Sequence, residues 1–159
     1  MGMKIEYIEG DLLRAEEYCI LHGCNSMGVQ GSGVALAIKN HFPPAFTEYR
    51  KTYIDQGNVL HLGQVIWADC GSKMIANCIT QQFYGYDGKR YVSYDALADC
   101  FAKINADMVA VNTATGGTMG TRVGMPLIGA DRGGGKWEVI AEIIETSFTD
   151  IQPVVYILP

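Results

Sequence analysis

Two glycine-rich segments, each with an apolar run before it and an amphipathic stretch after it, set the terms on which this chain can fold. The first reads Asn25-Ser26-Met27-Gly28-Val29-Gln30-Gly31-Ser32-Gly33 and leads into Val34, Ile38 and His41/Phe42 at helical spacing. The second reads Gly129-Ala130-Asp131-Arg132-Gly133-Gly134-Gly135 and leads into Trp137, Ile140, Ala141, Ile144 and Phe148. Strand, tight turn and helix in succession form the repeating unit of layered α/β proteins. In such a turn glycine lets backbone N–H groups come close to a ligand, and the helix N-terminus adds a partial positive charge. A pair of these turns can hold a diphosphate from two sides. Taken singly, each is also what a plain turn looks like in a chain with 19 glycines. Neither contains the G-K-S/T triplet of a nucleoside-triphosphate loop. The first does not fit G-x-G-x-x-G, which speaks against a dinucleotide oxidoreductase.

The remaining pattern fills in the layers. Residues 3–8 alternate apolar and polar side chains, and residues 18–22 form a short apolar run; both predict strands. Pro43-Pro44 ends the first helix and opens a second, which runs to Gln56 and stops at Gly57. Residues 61–68 and 73–79 predict strands around the turn Asp69-Cys70-Gly71-Ser72. Ser93 caps a helix carrying Tyr94, Leu97, Ala98, Phe101 and Ile104 on one face. Residues 108–112, 123–128 and 154–158 predict further strands, with residues 112–118 as a polar connection. The order predicts one α/β domain over residues 1–159, with three α/β/α layers and a mixed central sheet.

Composition narrows the function. Hydrophobic residues make up 48% and charged residues 18%, a globular balance, and no apolar run approaches the roughly 20 residues of a membrane helix. The start of the chain leads straight into a strand-like segment, without a signal-peptide core or a myristoylation pattern after Gly2. A net charge of −5 with no cluster of Lys and Arg speaks against nonspecific nucleic-acid binding, while leaving backbone amides free to hold a small anion. The five cysteines are scattered and form no C-x-x-C pair, and only three histidines are available to complete a metal site with them. We read them as reduced thiols in a cytoplasmic protein without metal or cofactor.

Ile8-Glu9-Gly10-Asp11-Leu12-Leu13 and His22-Gly23-Cys24-Asn25 are followed, in order, by Gly31-Ser32-Gly33-Val34-Ala35 and Ile75-Ala76-Asn77-Cys78-Ile79-Thr80-Gln81. Then come Tyr94-Asp95-Ala96-Leu97 and Pro126-Leu127-Ile128-Gly129-Ala130, with Trp137 eight residues beyond Gly129. In these segments, which span nearly the whole chain, the sequence resembles the macro domain family, and within it the ADP-ribose-1″-phosphate phosphatase-like branch. The resemblance implies ADP-ribose or ADP-ribose-1″-phosphate as the ligand.

The resemblance also implies roles. Asp11, with Leu12 beside it, would recognise the adenine amino group, although Asp at a turn is also an ordinary cap. Asn25 would lie near the distal ribose. Gly31, Ser32, Gly33 and Val34 would line that ribose and the diphosphate. Gly129, Ala130, Gly133, Gly134 and Gly135 would close from the other side, and Tyr156 would stack on adenine or serve the core. His22 and Asp131 are the catalytic candidates: an imidazole trades protons near neutral pH, and a carboxylate can orient water. Their plainer readings are a hydrogen-bonded strand-end histidine and a loop cap. Asp131 stands where the family pattern has a second glycine. Gln81-Gln82 occupies the place where a related branch carries an adduct-forming lysine, and the next lysine is Lys89. Three functions remain open: a phosphatase acting on ADP-ribose-1″-phosphate, an ADP-ribosyl hydrolase or deacylase, and a reader without chemistry. The phosphatase ranks first.

Overall fold

The computed structural model describes residues 2–83, 89–130 and 133–159. At its centre β2 (Cys19–Asn25) runs between β4 (Met74–Gln81) and β5 (Arg122–Met125). Beyond β5 lie β6 (Gln152–Ile157) and then β1 (Glu6–Glu9), and beyond β4 lies β3 (Val65–Asp69). The pairs β1–β6, β6–β5, β5–β2 and β2–β4 are parallel, and only β3 runs antiparallel to its neighbour. The sheet is therefore mixed. β4 is buried at six successive positions, as a parallel strand covered on both faces should be.

Side-chain alternation along β2 explains the layers. Cys19 and Leu21 point to a core shared with Leu97 and Ile104 of α3 (Tyr94–Thr115) and Ile140 and Ile144 of α4 (Trp137–Ser147). Ile20, on the opposite face, packs with Ile38 of α1 (Gly33–His41) and Ala45 of α2 (Pro43–Asp55). Cys24 continues that face and meets Tyr49 of α2. Helices on both faces of one sheet give the predicted three-layer α/β/α architecture. The adjacent strands β2 and β5 send their following helices, α1 and α4, to opposite faces. Their carboxyl ends thus flank a topological switch point, where open α/β sheets form a ligand crevice.

Two sequence-based expectations fail at one place. The strand predicted over residues 108–112 is the continuation of α3, and the polar connection after it is mostly that helix's last turn. The buried positions Leu97, Cys100, Phe101, Ile104, Asn105 and Met108 recur every three or four residues, while Val109 and Val111 are exposed. A short continuous apolar run predicts a buried strand, but here the packing period is 3.6. Asn112 braces the last turn of the helix: its side chain donates to the Gly120 carbonyl at 2.8 Å and accepts from the Met119 N–H at 2.8 Å. Gly116 follows in the left-handed conformation, the usual way for a helix to stop. Pro43 and Pro44 do open α2, and Ser93 caps α3 through the Ala96 N–H.

Candidate functional site

The parallel strands bring the sequence-predicted residues to one edge. Asp11 follows β1, residues 25–34 follow β2, Gln81 ends β4, residues 126–136 follow β5, and Tyr156 lies near the end of β6. All of these are carboxyl ends of parallel strands. Asp131 lies outside the described residues.

The first glycine segment is held from below and left open above. Tyr49, buried on α2, donates its hydroxyl to the Asn25 carbonyl at 2.7 Å and receives the Gly28 N–H at 3.1 Å. Arg50 donates to the Gly28 carbonyl at 3.1 Å. Asn25 itself stitches the turn, accepting from the Met27 N–H at 2.9 Å and donating to the Val29 carbonyl at 2.9 Å. Its amide is thus occupied in shaping the loop. On the other flank Ser26 donates its N–H to the Gln81 carbonyl at 2.9 Å and its hydroxyl to the Gln82 carbonyl at 3.1 Å. Above this foundation Gly31 and Gly33 are exposed, and a methyl group added at Gly31 would meet nothing within 4 Å. Ser32 stands at the N-cap of α1 and makes no side-chain capping bond, so the first amides of α1 face the crevice without a side-chain acceptor. A helix start of this kind attracts an anion through its N–H groups and dipole. Exposed Met27, Val29, Val34, Phe83 and Leu127 give the same edge an apolar rim.

The second segment has a different construction. Gly133 accepts from the N–H groups of Tyr91 at 2.7 Å and Val92 at 3.0 Å, and Gly135 donates to the Gly129 carbonyl at 2.8 Å. A Cβ on Gly129 would come 3.0 Å from Val92 and 3.2 Å from Ile140, and its φ of 76° is one that side chains avoid. Gly134 backs onto the Lys89 carbonyl. These glycines are small because the backbone closes against residues 89–92, with Ala130 half-buried beside them. The first segment is the more open of the two, while the described glycines of the second are packed against residues 89–92.

Three side chains have more structural work than the sequence assigned to them. Asp11 accepts the Leu13 N–H at 3.0 Å and caps the short 3-10 turn Leu12–Arg14. It remains exposed, which leaves its other oxygen for a ligand, while Leu12 is buried beneath it. Tyr156 is only 8% exposed, packs in the core with Leu12 and Val154, and donates its hydroxyl to Glu17 at 2.5 Å. Burial pushes its phenol up to about 12. An adenine-stacking role does not fit this placement, because the ring is enclosed by protein. Glu17 also takes Arg122 Nε at 3.3 Å, so the buried carboxylate is paired.

His22 requires the larger correction. It is 0% exposed and lies under the crevice on the α1/α2 face, with Nε2 2.7 Å from Asn77 Oδ1. Asn77 in turn donates to the Ala45 and Ile66 carbonyls, both at 3.1 Å. Burial pushes the imidazole down to about 4, only partly offset by the Asn77 contact. Burial thus favours the uncharged imidazole at neutral pH and encloses the ring in protein. The sequence-based assignment of general acid or base is therefore replaced by a buried positioning role.

Sequence reasoning missed Tyr49, Arg50, Gln30 and Asn77, the residues that hold the first segment in place. Asn77 was visible as a polar residue within an apolar strand, a pattern that signals a buried hydrogen-bonding task. The distant anchors Tyr49 and Arg50 carried no local signal.

Comparison with known proteins agrees with this geometry. A family model described as Macro domain matches residues 21–144. The DNA ADP-ribosyl glycohydrolase of Mycobacterium tuberculosis is 30% identical over 159 residues, covering 96% of this chain and 42% of the relative. The chain thus spans about two-fifths of that relative's length. The ADP-ribose 1″-phosphate phosphatase of Candida albicans is 27% identical over 141 residues, covering 84% of this chain and 87% of the relative. Among solved structures, the macrodomain of Mycobacterium tuberculosis DarG superposes with a TM-score of 0.78 at 26% identity, covering 98% of each chain. With the switch-point crevice, the paired glycine segments and a family match over most of its length, this chain belongs to the macro domain family.

Proposed function

We propose that this domain binds the ADP-ribosyl group in the crevice between residues 25–33 and 126–136 and hydrolyses the bond between C1″ of the distal ribose and its substituent. The observation that supports the reading is the uncapped N-terminus of α1, which follows a glycine segment tied at Gly28 to Tyr49 and Arg50 and stands, like the second segment, at the carboxyl end of a parallel strand. The diphosphate lies across the α1 amides, the adenine reaches Asp11, and C1″ faces the loop that carries Asp131. A carboxylate there orients the attacking water and takes its proton, while fixed amide dipoles stabilise the charge that develops.

An ADP-ribosylated nucleobase now ranks ahead of 1″-phosphate as the substituent. The sequence ranked the phosphatase first because Gln81-Gln82 stands where a related branch carries an adduct-forming lysine, and the carboxylate route above needs no such lysine. The mycobacterial relative also matches across more of this chain than the Candida phosphatase does. A direct test offers ADP-ribose by calorimetry, then ADP-ribose-1″-phosphate and a base-linked ADP-ribosyl oligonucleotide while phosphate and ADP-ribose release are followed. Saturable heat with ADP-ribose is expected, with ADP-ribose released from the oligonucleotide, and Asp131→Asn lowering kcat by about 10²-fold. Absence of any heat with ADP-ribose sinks the assignment. Release of phosphate alone restores the phosphatase.

A further inference from the structure

Residues 91–94 are bonded toward both glycine segments. On one side Val92 pairs with Gln81 in an antiparallel bridge, and the Ser93 N–H donates to the Thr80 carbonyl at 2.8 Å. The Gln81 carbonyl also takes the Ser26 N–H, so this side is one step from the first segment. On the other side the N–H groups of Tyr91 and Val92 hold the Gly133 carbonyl, and the Tyr94 hydroxyl accepts the Lys136 N–H at 3.0 Å. A continuous run of hydrogen bonds therefore joins Ser26, the end of β4, the start of α3 and the start of α4.

Tyr94 differs from the other links in this run. The bonds at Thr80, Gln81 and Gly133 are backbone to backbone, whereas Tyr94 holds the backbone of Lys136 with a side chain. Its ring is half-buried, packs against the core that α3 and α4 share, and lies under the Arg90 guanidinium, 4.4 Å from the ring centroid. Ser93 fixes the root of that ring by capping α3 through the Ala96 N–H at 3.1 Å. Lys136, the residue before α4, makes no side-chain capping bond of its own. A second tyrosine reaches the same helix start in another way. The Tyr7 hydroxyl receives the Trp137 indole N–H at 3.0 Å and so binds a side chain rather than the backbone.

Resting on the reading above, we propose that Tyr94 is a positioning residue for the chemical step. Its hydroxyl fixes the second glycine segment, to which Asp131 belongs in sequence, relative to the first, where the diphosphate binds. It acts through the backbone of Lys136 and needs no contact with the ligand. Rate depends steeply on such placement, and a shift of about 1 Å can cost about 10²-fold. Affinity, carried by the first segment, does not depend on it in the same way. Deleting the hydroxyl therefore lowers kcat and spares binding.

Tyr94→Phe keeps the ring with its contacts and removes only the hydroxyl. On the full chain, calorimetry measures ADP-ribose affinity. Turnover is followed with saturating base-linked ADP-ribosyl oligonucleotide and with ADP-ribose-1″-phosphate. In Tyr94→Phe, kcat should fall about tenfold on whichever substrate the wild type turns over, while ADP-ribose affinity stays within about twofold. Tyr7→Phe should leave both unchanged. An unaltered kcat in Tyr94→Phe, or an affinity that falls as far as kcat, refutes the positioning role. An equal loss in Tyr7→Phe refutes it too, since any loosening of the α4 start would then suffice. A wild type that binds ADP-ribose and turns over neither substrate overturns the role while the crevice stands. Failure to bind ADP-ribose refutes the crevice itself.

Discussion

Lowering the pH should destabilise this fold through one histidine, and the amount follows from its burial. His22 is fully enclosed, with its imidazole held down to about 4 against an ordinary value of 6.5. Above about pH 7.5 both folded and unfolded chains carry it neutral, and it contributes no pH dependence. As pH falls through 6.5 the unfolded chain takes up a proton that the folded chain refuses, so stability drops until about pH 4, where the folded imidazole charges as well. From the two pKa values, about 2 kcal/mol is lost between pH 7.5 and 5, and about 3 kcal/mol by pH 4. With a urea slope of about 2 kcal/mol per molar, the first loss moves the unfolding midpoint down by about 1 M. Urea melts of the wild type and of His22→Gln at the two pH values measure it. The glutamine offers an amide donor toward Asn77 but cannot titrate, so its midpoint should fall much less. Parallel shifts in the two proteins, or NMR titration of His22 with a midpoint near 6.5, would refute the reasoning and return His22 to the candidates for proton transfer.

Other substitutions test the remaining supports. Tyr49→Phe removes the hydroxyl that receives the Gly28 N–H and donates to Asn25, and should cost about 1–3 kcal/mol by thermal melting while weakening ADP-ribose binding. Gly129→Ala forces a side chain into a φ of 76° against Val92 and Ile140, and should destabilise by about 1–3 kcal/mol; a melting temperature equal to the wild type would show the wall is loose. Tyr156→Phe leaves the Glu17 carboxylate, 7% exposed, with one partner fewer and should cost about 1–3 kcal/mol, with ADP-ribose affinity unchanged because the ring does not reach the ligand.

The fold was legible where one chemical signal dominated locally. Pro43-Pro44 marked a helix boundary, Ser93 a cap, and the glycine segments the strand-to-helix turns, since each restricts its own backbone whatever the rest of the chain does. The reading failed at residues 108–112, where a short apolar run carries no period of its own and tertiary packing decides. At the site, sequence found the edge but not the mechanics. Asp11, Asn25 and Gly31 all lie at the carboxyl ends of parallel strands. The anchors Tyr49, Arg50 and Gln30 act across 20 residues or more, or through a buried network, and leave no mark in sequence spacing. His22 misled because residue type alone advertises proton chemistry, whereas the same ring inside a sheet becomes neutral by desolvation.

The two glycine segments look equivalent in sequence and do opposite things, and this asymmetry bears on catalysis. The first is tied to α2 by a tyrosine and an arginine yet leaves the start of α1 without a side-chain cap; the second is held to Tyr91 and Val92 by backbone bonds. On the proposed reading, a ligand diphosphate meets open amides at the first segment and closely packed backbone at the second. Electrostatic stabilisation of a developing charge needs donors that do not reorganise during the reaction. Here the buried amides and hydroxyls under the first segment supply that rigidity, with His22 and Asn77 completing the floor in an uncharged state. A charged imidazole at that depth would leave an unpaired charge out of water and weaken the floor it belongs to. Its neutrality is thus part of how the cradle stays formed at neutral pH.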